Sequence, residues 1–281
     1  MVAWSAKVRG RDYPARVSPE RCDGILLAAG AGRRYGMPKV LAEDGRWLHG
    51  AVAALRDGGC ARIFVVLGAT GPAHRAPDGE WQVSQTSGIA LPEGVHPVWA
   101  ADWDLGLSAS TRAGLAAAAA PGLSTREALE QTGIPDESAV PGMDDTLAAR
   151  TFGTGNTAER NSDSRNSRTG SSTATPRNHR AAPAELVAIM PVDTPDVGPA
   201  VVERVIAVAR TSQSRLARAF FGTTPGHPVV LGRAHWAGVC ASAEGNSGAG
   251  TYLRQRADMV CVTCDDLATG IDRDYPADSA L

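Results

Sequence analysis

A chain of 281 residues, 43% hydrophobic and 21% charged, has the size and balance of one large α/β domain or two small ones. Its formal net charge of −2 gives no general attraction to nucleic acid or to an anionic membrane, so any phosphate recognition has to be local. No apolar run is long enough to span a bilayer, and the opening MVAWSAKVRGRDYP lacks the apolar centre of a secretory signal, so the cytoplasm is the expected compartment.

Residues 1–21, with Pro14, Pro19 and several charges, read as a loosely ordered lead-in. CDGILLAA, from 22 to 29, is a short apolar run suited to a strand buried on both faces. A Gly-rich turn follows. In LHGAVAALRDGG, from 48 to 59, Leu48, Val52 and Leu55 fall on one helical stripe that Gly58 and Gly59 end. ARIFVVLG, from 61 to 68, reads as a second buried strand, which makes the first three elements a right-handed βαβ unit. Further strands are expected at Gly94–Trp99, Leu186–Met190, Pro228–Leu231 and Met259–Val262. Helices are expected at Ser108–Ala120, Val201–Ala209 and Gly248–Arg256. The alternation implies an α/β fold with a doubly wound, mostly parallel sheet. One domain is expected over 22–281, interrupted by a low-complexity insertion at about 121–182. From 150 to 180 that segment carries six arginines against Glu159 and Asp163 and few large apolar residues, so it is expected to be disordered.

Five cysteines, an odd number in a long chain, argue against a disulfide framework. The Cys261-x-x-Cys264 pair lacks a second ligand pair. It also falls in the strand-like MVCVTC, where residues three apart face opposite sides.

The sharpest signal is LAAGAGRRYGMPK, from Leu27 to Lys39, directly after the first strand. Gly30, Gly32 and Gly36 let backbone N–H groups approach a polyphosphate, and Arg34 and Lys39 add cations on the same side. Phosphoryl chemistry uses that combination of backbone donors and fixed positive charge. A dinucleotide-binding G-x-G-x-x-G does not fit, because its third glycine would fall at Tyr35; a Walker A loop does not fit, because no G-K-[ST] is present. Asp193 closes the apolar run AIMPVD at a strand's carboxyl end, where open α/β sheets place ligand chemistry, and could hold Mg²⁺ there. Its structural alternative is to cap the following helix.

The loop resembles the L-A-A-G-x-G-x-R-x-G-x-x-K signature of the MobA-like NTP transferases. Four further segments resemble family motifs in family order: DWDLGLSASTRAGL (102–115), AIMPVDTP (188–195), TPGHPVVL (224–231) and DRDYPAD (272–278). Within the family, the molybdenum cofactor cytidylyltransferases are most similar in pattern. The resemblance implies a Rossmann-like nucleotidyltransferase fold and an Mg²⁺-dependent enzyme. It implies that Leu27, Ala28, Ala29, Gly30, Ala31, Gly32 and Gly68, with Ser108, Ser110 and Arg112, line the nucleotide. Ser108 as a plain helix cap is the structural alternative. Lys39, Arg34 and Asp193 would be catalytic, and Asp193 and Asp274 would hold the metal, with Asp272 as the alternative to Asp274. Gly226 and His227 would line the acceptor side; His227 is not needed as a base, because a phosphate nucleophile is already ionised. Trp47, Trp99, Trp103 and Trp236 read as core or rim aromatics.

Ala28-Ala29-Gly30 goes with cytosine selection in the family, so CTP is the favoured nucleotide, and the implied acceptor is molybdopterin, with a molybdoenzyme or its chaperone as a partner. Departures stand at Tyr35 (usually Met), Ala100 (usually Asn), Asn246 (usually Asp) and Gly250 (usually Arg). Three other readings remain open: the same chemistry with GTP or on another acceptor such as a phospholactate or sugar phosphate, a nucleotide-binding regulator or cofactor chaperone without turnover, and an NAD-binding oxidoreductase. The last lacks a ribose-binding acid after ARIFVVLGAT.

Overall fold

A computed structural model describes residues 20–120 and 183–275. The expected lead-in, the low-complexity insertion and the last residues of DRDYPAD lie outside the described residues, apart from the few at their margins.

Seven strands form one sheet in the order β5-β2-β1-β6-β8-β7-β9. They are β1 (Cys22–Leu27), β2 (Cys60–Leu67), β5 (Val95–Trp99), β6 (Leu186–Pro191), β7 (Leu216–Phe221), β8 (Thr224–Gly232) and β9 (Val260–Thr263). Only β8 runs against the rest, pairing antiparallel with β6 and β7. A two-stranded hairpin of β3 (His74–Arg75) and β4 (Trp81–Gln82) stands apart from the sheet. The mostly parallel α/β sheet expected from the alternating pattern is therefore present, with one strand reversed.

Helices cover both faces. On one side lie α1 (Arg46–Asp57) and α3 (Pro199–Thr211); on the other lie α2 (Leu107–Ala119), α4 (Arg233–Ser242) and the short α5 (Gly250–Arg254). The pleat of β1 divides its side chains accordingly: Cys22 and Leu26 join the core under α1 and α3, Ile25 and Leu27 the core under α2 and α4. This is why β1 carries no polar alternation. Helix α1 buries Trp47, Leu48, Ala51, Val52 and Leu55, the stripe expected from its spacing. Burying each of its large aliphatic side chains is worth roughly 1.5–3 kcal/mol.

Gly58 ends α1 by donating its N–H to Ala54 O, and a Cβ there would lie 2.5 Å from Val202 Cβ of α3. Gly58→Ala is therefore expected to push α1 and α3 apart and cost about 1–3 kcal/mol, read as a lower urea midpoint with an unchanged m-value.

The differences from the sequence reading are local. The helix expected at 248–256 is only Gly250–Arg254. Strand β7, helix α4 and the β3–β4 hairpin add to the elements expected from the sequence. Helix α2 begins at Leu107, and its N-cap is Gly106 (φ 107°), not Ser108. A side chain at Gly106 would meet the Gly245 carbonyl at 2.6 Å, so the loop that packs there excludes a capping side chain at the N-cap position. Among the described residues, no helix is long and apolar enough to cross a membrane. The five cysteines are free thiols, and Cys261 is exposed while Cys264 is buried.

Candidate active site

The parallel strands end along one edge of the sheet, and Gly30, Gly32, Arg34, Asp193 and Asp274 lie on the segments that leave it there. Beyond β1, Ala28 N–H donates to Val66 O and Ala69 N–H to Ala29 O, each at 2.9 Å, so the chain stays pinned as it leaves the sheet. Leu27, Ala28 and Ala29 are buried, Gly30 is exposed, and Ala31 and Gly32 are half-buried. The loop then folds back, with Gly36 N–H donating to Gly32 O at 2.8 Å. Gly32 has φ +59°, and a Cβ on it would sit 1.8 Å from Met37 O, so the turn admits glycine alone. Tyr35 stacks at a tilt on Trp47 of α1, ring centroids 5.2 Å apart, which holds the loop to the body of the protein. Lys39 opens a 3₁₀ segment (Lys39–Gly45) anchored by the fully buried Val40 and Ala42.

Four of the residues picked from the sequence meet. Lys39 Nζ donates to Asp193 Oδ2 and to Asp274 Oδ1, each at 2.7 Å. Arg34 Nη1 donates to Asp274 Oδ2 at 2.8 Å. Asp193 does not cap a helix, since α3 starts only at Pro199. Arg273 N–H donates to Asp193 O at 2.9 Å, which brings the segment after β9 across the end of β6. Lys39 and Asp193 are mostly shielded, whereas Arg34 is 69% exposed, so the Lys39–Asp193 contact is the stronger of these ion pairs.

The charges respond to one another. Burial alone would push the Lys39 ammonium down, but its hydrogen bonds to Asp193 and Asp274 outweigh burial and hold it above its ordinary value. The Lys39 hydrogen bond holds Asp274 below the usual carboxylate range against a smaller opposing effect of burial, with the charges of Lys39 and Arg34 assisting. Asp272 is raised, first by burial and then by the charges of Asp193 and Asp274.

A divalent cation suits this donor set. Asp193 Oδ1 is buried with no hydrogen-bond partner, and the available ligands are hard carboxylate oxygens. Among the described residues, no group of three or more His, Cys, Asp or Glu forms a ready metal cage. Mg²⁺ needs none, because it takes one or two carboxylates and completes its shell with water and phosphate oxygens.

The other sequence candidates are not joined to this cluster by hydrogen bonds. Gly68 lies where Ala29 and Trp103 converge: a Cβ there would be 2.5 Å from Trp103 Cβ and 2.8 Å from Ala29 Cβ. Ser108 and Ser110 are buried in the first turns of α2, and Ser108 N–H donates to Gly245 O at 3.0 Å. Arg112 Nη1 donates to Ala243 O at 2.7 Å and so ties α2 to the loop holding Asn246. Gly226 packs under the Phe221 ring, where a Cβ would be 2.6 Å from two ring carbons.

His227 Nδ1 lies 3.4 Å from Ile189 O, and burial, then the Arg218 charge, push its imidazole down to about 4 from 6.5. Between pH 6.5 and 4 the unfolded chain takes a proton that the folded chain refuses. Stability from this group is thus full above pH 6.5 and falls as pH drops toward 4, by about 3 kcal/mol at most. His227→Gln is expected to flatten that part of the urea-unfolding profile between pH 7 and 4.5.

The residue that sequence reasoning missed is Asp196, three positions after Asp193, which binds the backbone of Thr269 and Gly270. The only signal was a second acid in D-T-P-D.

Comparison with known proteins agrees with this architecture. Rv0371c from Mycobacterium tuberculosis H37Rv superposes with a TM-score of 0.55 at 18% identity, over 92% of this chain and 95% of that one. The manganese complex of the same protein gives 0.50 at 16% identity, over 94% and 95%. A nucleotidyl transferase from Methanothermobacter thermautotroptrophicus gives 0.51 at 16% identity, over 91% and 92%. At such identities these likenesses speak for a shared fold. No curated protein matches the chain in sequence. The MobA-like NTP transferase domain, however, matches residues 24–260, which is most of the chain and includes the phosphate loop, Lys39 and Asp193. The chain belongs to the MobA-like NTP transferase family and is a nucleotidyltransferase of that type.

Proposed function

We propose that this protein transfers a nucleoside monophosphate from an NTP, CTP in preference, to a small phosphorylated acceptor, molybdopterin in preference, and releases pyrophosphate with Mg²⁺ present. The observation that carries the reading is the Lys39 ammonium at 2.7 Å from both Asp193 and Asp274, beside a glycine-built loop at the carboxyl edge of the sheet. An ammonium pinned between two carboxylates marks a place where charge of both signs has been gathered at a cost in desolvation, and such sites cluster at catalytic centres.

In the reaction, an oxygen of the acceptor's terminal phosphate attacks the α-phosphorus in line, and the bond from that phosphorus to the pyrophosphate oxygen breaks. The attacking oxygen is already ionised, so no side chain need take a proton. Backbone N–H groups of Gly30–Gly32 and the cations Arg34 and Lys39 receive the triphosphate and its growing negative charge. Lys39 would exchange its carboxylate partners for phosphate oxygens. Asp193 and Asp274 are the groups that would hold a divalent cation, which when bound neutralises charge on the phosphates. Positioning and electrostatics suffice, and no covalent intermediate is needed. Both preferences rest on the resemblance to the cytidylyltransferases, that for CTP through Ala28-Ala29-Gly30 and that for molybdopterin through the pattern as a whole. A molybdoenzyme or its chaperone would take the product, in the cytoplasm.

The test is pyrophosphate release from CTP, GTP and ATP with Mg²⁺, each with and without molybdopterin. Release that requires molybdopterin and prefers CTP is expected. Release with another acceptor, such as a sugar phosphate, would withdraw the molybdenum assignment and keep the chemistry. Nucleotide binding without release for any acceptor would point to a regulator.

A further inference from the structure

Asp196 sits in the loop between β6 and α3. Its Oδ2 accepts three hydrogen bonds from one short stretch: Thr269 N–H at 2.7 Å, Thr269 Oγ1 at 2.5 Å and Gly270 N–H at 3.1 Å. These bonds outweigh burial, the largest single influence, and hold the carboxyl below its ordinary range, so it accepts as an anion. Charge-assisted bonds of this kind are roughly twice as strong as neutral ones.

The stretch so held leads directly into the active site. Beyond Gly270, Arg273 N–H reaches Asp193 O, and Asp274 reaches Lys39 and Arg34. From Thr269 to Asp274 the chain can extend at most about 3.3–3.6 Å per residue. Fixing Thr269 therefore limits where the carboxylates of Asp272 and Asp274 can go. The path is also tight at its start. Gly270 has φ +63°, and a Cβ there would lie 2.0 Å from the Phe221 ring. The strap buries little apolar surface of its own, since Ile271 is 59% and Tyr275 61% exposed. Hydrophobic burial does not place it, so hydrogen bonds must.

We propose that Asp196 is a positioning residue for the nucleotide and cation site: its carboxylate fixes Thr269 and Gly270 and thereby presents Asp272 and Asp274 to Lys39 and Asp193. This rests on the reaction site proposed above. Asp196 touches no reacting atom; it acts through the strap.

The test uses the full chain as wild type, Asp196→Ala, Asp196→Asn and Thr269→Val. Three quantities are measured: amide hydrogen exchange over 267–275, Mn²⁺·CTP affinity from the electron paramagnetic resonance signal of free Mn²⁺, and the thermal midpoint. Asp196→Ala is expected to speed exchange over 267–275 at least tenfold and to weaken Mn²⁺·CTP about tenfold. Exchange in β1, β2 and β6 should stay as in wild type. Asp196→Asn, which keeps an acceptor but not the charge, and Thr269→Val, which keeps the amide but not the hydroxyl, should fall between. A strap that exchanges at the wild-type rate in Asp196→Ala overturns the inference, as does faster exchange with unchanged Mn²⁺·CTP affinity. A lower midpoint with faster exchange throughout the sheet also overturns it, because Asp196 would then be holding the fold. A wild type that binds Mn²⁺·CTP but releases no pyrophosphate sinks the proposed reaction and leaves this inference to be decided by the variants.

Discussion

Asp193→Ala is expected to lower kcat/KM for pyrophosphate release by about 10³-fold while leaving the protein folded. Removing one preorganised electrostatic group from a shielded site costs on the order of 10²–10³ in rate, and Asp193 combines two such duties. It is a candidate cation ligand, and it orients Lys39 through the 2.7 Å bond from Nζ. Stability should change little, because Lys39 keeps Asp274 as a partner at 2.7 Å. Lys39→Ala should cost as much in rate for a different reason. It leaves Asp193 and Asp274, which now share one ammonium, facing each other without it. The two variants should differ in nucleotide binding: loss of Lys39 weakens CTP with or without Mg²⁺, whereas loss of Asp193 weakens chiefly the Mg²⁺-dependent part. A variant at Asp193 that retains a third of the wild-type rate would show that the carboxylate stands outside the chemistry.

Arg62→Ala should do the reverse, with a large loss of stability and little change in the rate of whatever stays folded. Asp23 at the start of β1 is fully buried and accepts from Arg62 three times: N–H at 3.2 Å, Nε at 2.9 Å and Nη2 at 2.6 Å. Arg21 Nε adds a fourth bond at 3.1 Å. Arg62 also donates to Ala118 O at 3.1 Å and lies over the Phe64 ring, so one guanidinium ties β1, β2 and the end of α2 together. Removing it leaves a buried carboxylate short of donors, a loss of about 3–5 kcal/mol. The double variant Asp23→Leu/Arg62→Leu should regain part of that, since replacing both partners by apolar groups removes the stranded charge. Urea denaturation of the single and double variants measures both. A single variant within about 1 kcal/mol of wild type would mean that Arg21 or water already satisfies Asp23. This node lies at the opposite end of β1 from the phosphate loop, which is why rate and stability should separate.

The fold and the site were not equally legible in the sequence. Strand β1 could be read because a parallel strand buried on both faces needs a nearly continuous apolar run, and CDGILLAA is one apart from Asp23. Helix α1 could be read from its stripe. Strand β7, LARAFF, could not, because Arg218 interrupts it and its Phe residues are only half-buried. Helix α4 carries a buried His235 beside Trp236 and Val239, which is no clear stripe, and it finds its place through contacts such as His235 Nδ1 with Tyr252 Oη at 2.8 Å. At the site, Gly32 was legible because only glycine fits that turn, and Asp193 because a strand's end advertises itself. That Asp274 would meet Lys39, 235 positions away, came only from family resemblance. Ser108, Ser110 and Arg112 entered as nucleotide contacts through family resemblance, because a hydroxyl-rich helix start reads alike whether it binds a ligand or only packs. The loop around Gly245 that covers it is a tertiary fact. Asp196 was silent for the same reason, since its partners lie 73 and 74 positions on.

In the proposed reaction the α-phosphorus is attacked and pyrophosphate leaves. The most direct measurement follows two labels in parallel, CTP labelled at the α-phosphate and CTP labelled at the γ-phosphate, with Mg²⁺ and molybdopterin. The α-label is expected to become covalently attached to the acceptor while the γ-label appears in pyrophosphate, in equal amounts. A γ-label on the acceptor, or an α-label released as free CMP or CDP, would contradict it.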